Sequence, residues 1–95
     1  MHSIVRRLKS KVLQAKVTPE GVGIIQLHRR VTEAEFARAA KAAGLAAGFQ
    51  KSKKYLEARK AGKLVAVLVD NNHLVIPKAA AKQAALEFAE TLLGR

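Results

Sequence analysis

From Thr32 to Pro77 the chain reads TEAEFARAAKAAGLAAGFQKSKKYLEARKAGKLVAVLVDNNHLVIP, and the order of signals in that stretch restricts the fold more than any other feature. Thr32-Glu33-Ala34-Glu35 has capping-box spacing: the Thr32 hydroxyl can accept from the Glu35 amide while Glu35 reaches back to the Thr32 amide. A helix is therefore expected from Thr32, with Phe36, Ala37, Ala40 and Ala43 on one face and Arg38 and Lys41 opposite. Gly44 followed by Leu45 fits a left-handed stop, so the turn falls between Gly44 and Gly48. The residues from about Gln50 to Ala61 then predict a second, basic helix, with Tyr55, Ala58 and either Ala61 or Leu56 inward and Lys51, Lys53, Lys54 and Lys60 outward. Gly62 ends it. Leu64 to Val69 is apolar and mostly β-branched, Asn71-Asn72 can take the positive φ of a tight turn, and His73 to Ile76 supplies the return strand before Pro77.

The flanks are simpler. Ile4, Val5, Leu8 and Val12 recur at helical spacing among Arg6, Arg7, Lys9 and Lys11. From residue 13 the period changes to two, and the turn signal Thr18-Pro19-Glu20-Gly21 separates that run from Val22, Ile24, Ile25 and Leu27, which reads as a hairpin or at least one strand. After Pro77 a last helix, 78–93, places Ala81, Ala85, Phe88, Ala89 and Leu92 on one stripe. That stripe either completes the core or pairs with a second copy, and it is the expected dimer surface.

Length and charge narrow the function. Ninety-five residues hold one domain with a modest core. Eighteen Lys and Arg against seven Asp and Glu leave a net charge of +11, and such a field attracts polyanions by releasing their condensed counterions. Residues 1–30 hold seven cations and one acid, residues 31–62 seven and three, and residues 63–95 four and three, so the positive surface is expected on the first two thirds. Basic residues alternate there with core candidates, which indicates a folded cationic face and not a tail. No cysteine is present, which removes disulfides, thiolate metal sites and cysteine nucleophiles. His2, His28 and His73 lack ligand spacing, and the seven acids fall at caps, turns and helix surfaces, so neither an enzyme nor a cofactor is expected. The longest apolar run, Leu64 to Val69, is too short for a bilayer, and the arginines near the start break any signal core, so a cytoplasmic protein is expected.

The segment 32–77 resembles winged helix-turn-helix domains, including the small excisionase-like DNA-binding proteins. The likeness is carried by TEAEFARAAKAAGL, by the YLEARKAGKLVAV junction and by the DNNHLVIP wing. The turn lacks the usual Ser/Thr cap, the wing tip has Asp70 and two Asn where Arg or Lys is usual, and the hairpin at 13–27 is longer than the family's short strand. The resemblance implies a single α+β domain ordered as helix, strand or hairpin, helix, basic helix, wing hairpin and C-terminal helix. It also implies a small duplex-DNA-binding protein, a transcriptional regulator or recombination accessory factor. Its contacts would come from Gln50, Lys51, Ser52, Lys53 and Lys54 in a major groove and from Asn71, Asn72 and His73 beside it. Arg38, Lys41, Arg29, Arg30, Arg6 and Arg7 are expected on phosphates. Two alternatives stay open: a module or inhibitor docking on an acidic surface of a larger enzyme, and an RNA- or ribosome-associated protein. Few aromatics favour duplex over single strands, with Tyr55 as the exception.

Overall fold

The computed structural model describes residues 1–50 and 54–94. Helix α1 (His2–Leu8) runs into a single 3-10 turn (Lys9–Lys11) and then the hairpin β1 (Gln14–Val17) and β2 (Gly23–Gln26). Helix α2 (Glu33–Ala42) leads to a four-stranded meander, β3 (Ala46–Gln50), β4 (Tyr55–Lys60), β5 (Lys63–Val69) and β6 (His73–Ile76), and helix α3 (Lys82–Leu92) closes the chain. The six strands form one sheet in the order β1-β2-β6-β5-β4-β3, every neighbouring pair antiparallel.

Several local signals act as written. The Thr32 capping box forms in both directions, with Glu35 N to Thr32 Oγ1 and Thr32 N to Glu35 Oε1 both 3.1 Å. Gly44 takes φ +74° one residue past the helix cap. The turn at 18–21 joins two paired strands, and the β5–β6 turn forms where expected, although its positive φ values, +53° and +62°, fall on Asp70 and Asn71 and not on Asn71 and Asn72. Helix α3 starts at Lys82 because Pro77 to Ala80 folds into a turn first, with Ala80 N donating to Pro77 O at 3.1 Å.

The winged-helix architecture is overturned. Where a basic recognition helix was expected from Gln50 to Ala61, the structure has the end of β3 at Gln50 and all of β4 from Tyr55 to Lys60, while Lys51, Ser52 and Lys53 lie outside the described residues. The stretch has good intrinsic helix formers, yet a twelve-residue helix is marginal in isolation, so its neighbours decide its state. The deciding neighbour is β5, in which Val65, Ala66, Val67 and Leu68 are all buried, so neither edge of that strand can be left without backbone partners. Strand β6 takes one edge; β4 takes the other, with Leu56 paired to Leu68 and Ala58 to Ala66. Ala61 and Gly62, at φ +52° and +82°, then form a two-residue hairpin turn between Lys60 and Lys63, so Gly62 ends a strand and not a helix. Residues 46–48, expected in the turn from Gly44 to Gly48, begin edge strand β3, which runs on to Gln50.

All three helices cover one face of the sheet. A complete cross-strand row, Ala15–Ile25–Leu74–Leu68–Leu56–Phe49, points to that face, and Leu8, Phe36 and Phe88 pack on it as fully buried side chains. The rings of Phe36 on α2 and Phe88 on α3 meet edge to face with centroids 5.0 Å apart. The expected dimer stripe on α3 belongs to this core: Ala85, Phe88, Ala89 and Leu92 are buried inside the chain, and only Ala81 is exposed. It is therefore no pairing surface. Among the described residues, no helix packs on the other face of the sheet. Among the described residues, no helix is long and apolar enough to cross a membrane.

Candidate nucleic-acid interface

Strand alternation puts two rows on the open face. One is Lys16–Ile24–Val75–Val67–Glu57–Gly48 and the other, from β1 to β4, Gln14–Gln26–His73–Val69–Tyr55. With strands about 4.8 Å apart, the five steps of the first row span about 24 Å. At the β1 side, Gln14, Lys16, Gln26 and His73 ring a shallow depression floored by Ile24, with a volume of about 110 Å3. That arrangement places amide, imidazole and ammonium groups around an apolar floor, a combination suited to a flat ring with polar edges. Tyr55 stands half-buried three strands beyond Gln26 in the same row.

The face is poor in acid. Its single described carboxylate, Glu57, is 6% exposed and held by Arg59 through Nε at 2.9 Å and a second guanidinium nitrogen at 3.2 Å. The Glu57 carboxylate raises the Arg59 pKa above its ordinary value. Of the other six acids, Glu33, Glu35, Glu87 and Glu90 lie on the helices, and Glu20 and Asp70 lie in turns.

The expected contact residues divide by position. The connections 27–32 and 70–72, and Gln50 and Lys54 at the ends of their described segments, lie at one end of the sheet, because β2 and β3 end there while β4 and β6 begin there. Gln50, Lys54, Arg29, Arg30, Asn71, Asn72 and His73 thus share a rim. Lys51, Ser52 and Lys53 lie outside the described residues. Arg6 and Arg7 are exposed on α1, with Arg7 Nε 3.9 Å from Glu90 Oε2, and Arg38 and Lys41 are exposed on α2, so these four belong to the helix layer and not to the rim.

Asn71 and Asn72 are latches. Asn71 Nδ2 donates to Val31 O at 2.8 Å, its backbone oxygen accepts from Val31 N at 2.7 Å, and its Oδ1 accepts from Arg30 at 3.3 Å. The Asn72 oxygen accepts from Leu27 N at 2.8 Å. These bonds tie the turn to the segment before α2, so neither asparagine forms a projecting wing tip. Only His73 of the expected wing lies on the open face. Tyr55, Gln14, Lys16 and Gln26 were not among the expected contacts; the period-two alternation at 14–16 was their signal, but a sheet with one bare face was not legible from it.

At the rim Arg29 donates to Glu35 at 2.7 Å, next to the capping box. The Arg29 hydrogen bond, then the Thr32 amide, hold the Glu35 carboxyl at about 2, below its ordinary 4.5. Because the folded value is depressed, this contribution to stability is present above pH 4.5 and disappears as pH falls from there through about 2. Glutamine can keep the capping bond without the charge. Glu35→Gln should therefore flatten the fall in melting temperature between pH 5 and pH 2, as read by circular dichroism; parallel curves for the two proteins would show that the Arg29 pair contributes nothing.

Set against protein-family models, curated proteins and solved structures, the chain matches none.

Proposed function

We infer that this is a non-enzymatic nucleic-acid-binding protein that lays an unpaired strand across the open face of its sheet. The observation that carries the reading is the composition of that face: stacking and hydrogen-bonding groups in cross-strand rows, with its one described carboxylate already engaged by Arg59. A net charge of +11 supplies the sequence-independent attraction. Unpaired bases expose faces that stack on aromatic rings and edges that take amide hydrogen bonds, which Tyr55, His73, Gln14 and Gln26 can offer. A duplex groove calls for a protruding helix or ribbon, and β4, the segment expected to supply it, lies inside the sheet. Its place of action in this reading is the cytoplasm.

Fluorescence anisotropy with a labelled unpaired 12-mer and the matching duplex tests it. The unpaired strand should bind more tightly, with affinity falling as salt rises. Tyr55→Ala should weaken binding about tenfold or more with little change in salt slope, since one stacked base is worth about 1–3 kcal/mol. Lys16→Ala should lower the slope by about 0.7 for a single strand. Tighter duplex binding that depends on Arg6, Arg7 and Lys9 would instead place the contact on α1, and no binding at low salt would end the nucleic-acid reading.

A further inference from the structure

The sheet has two edges, and only one is defended. Edge strand β1 carries Lys16 in its middle, a charge of the kind that discourages strand addition. Edge strand β3 is Ala46-Ala47-Gly48-Phe49-Gln50: it has no charge, no proline and no bulge, and its five pairs with β4 run in unbroken register. It lies at the end of residues 42–50, the longest run without a charged residue in a chain of net charge +11. Ala46, Ala47, Gly48 and Phe49 are all exposed, and Phe49, at 50%, is one of two large apolar side chains left in water. Beside the strand a groove of about 130 Å3 runs between β3 and α2, lined by Phe36, Ala37, Ala47, Gly48, Phe49 and Leu56 with the Glu33 carboxylate as its one charged group.

We propose that β3 pairs antiparallel with β3 of a second copy about a two-fold axis at Gly48, joining the two sheets into one. The strand is self-complementary in that register. Gly48 opposes Gly48, and each Phe49 opposes the other copy's Ala47, a small residue on the helix side of the sheet beside the groove that can receive the ring. Local neutrality matters as much as fit, because any charge on the strand would meet its own kind across the axis. Both open faces then lie on one side of the joined sheet. The inference stands apart from the nucleic-acid reading and is tested without any nucleic acid.

The absence of native cysteine makes the register directly readable. A Cβ at Gly48 meets nothing closer than Glu57 Cγ at 3.9 Å, so Gly48→Cys fits the folded chain. Directly opposed residues have Cα atoms about 4.5–5.5 Å apart, within disulfide reach. Ala46 instead opposes Gln50, leaving the two Ala46 positions roughly 13 Å apart along the strands at about 3.3 Å per residue. Under mild oxidation Gly48→Cys should give a disulfide-linked dimer and Ala46→Cys should form no cross-link. Sedimentation of the unmodified protein should show a concentration-dependent mass of two chains, and Phe49→Lys should raise the dimer dissociation constant at least tenfold while the circular dichroism spectrum of the folded chain stays unchanged. A monomer mass at all concentrations, equal cross-linking at residues 46 and 48, or a dimer indifferent to Phe49→Lys would each overturn the proposal.

Discussion

Phe88→Ala is expected to destabilise the protein by about 3–5 kcal/mol, the usual cost of emptying a buried phenylalanine site. Phe88 is fully buried, and its ring meets Phe36 at 77° with centroids 5.0 Å apart, joining α3 to α2 above the sheet. Domains of this size have total stabilities of about 5–15 kcal/mol, so the loss removes a large fraction of the margin. Phe36→Ala should cost a similar amount. The double variant should cost less than the sum, by about 0.5–1.5 kcal/mol, because the edge-to-face contact is lost only once. Urea denaturation of the four proteins gives the cycle. Phe88→Glu should not fold at all; a folded Phe88→Glu monomer would return α3 to the surface and contradict the core described above.

Ile24 and Ile25 are chemically identical neighbours with opposite fates. Ile25 is fully buried between Ala15 and Leu74 under the helices, whereas Ile24 is half-buried on the open face between Lys16 and Val75. Ile25→Ala should cost about 2–5 kcal/mol, the range for large-to-small changes in a packed core. Ile24→Ala should cost well under half of that, since water already reaches its site. A slip of one residue in β2 exchanges every side chain between the faces, so equal or reversed costs would refute the register and with it the two open-face rows. Ile24→Ala also alters the floor of the depression ringed by Gln14, Lys16, Gln26 and His73, so it should change binding more than stability.

What the sequence determined by itself is everything that depends on a few adjacent residues. Thr32 and Glu35 cap a helix through bonds they make with each other, Gly44 stops it through its own φ, and Asp70 and Asn71 turn a hairpin through theirs. Ile4, Val5 and Leu8 keep helical spacing and are buried at it. Composition likewise determines the +11 charge and the absence of thiol chemistry. The tertiary structure decided the rest. Residues 55–60 satisfy two periods at once: as a helix Tyr55 and Ala58 share a face, and as a strand Leu56 and Ala58 do. Only the unpaired edge of β5, contributed from outside the segment, selects the strand. The stripe on α3 was equally ambiguous, because an apolar helix face records that something covers it and not what. Which face of the sheet stays bare depends on where three helices far apart in sequence come to rest, and no local pattern encodes that; the open face, the rim and the undefended edge at β3 exist only once the sheet is assembled.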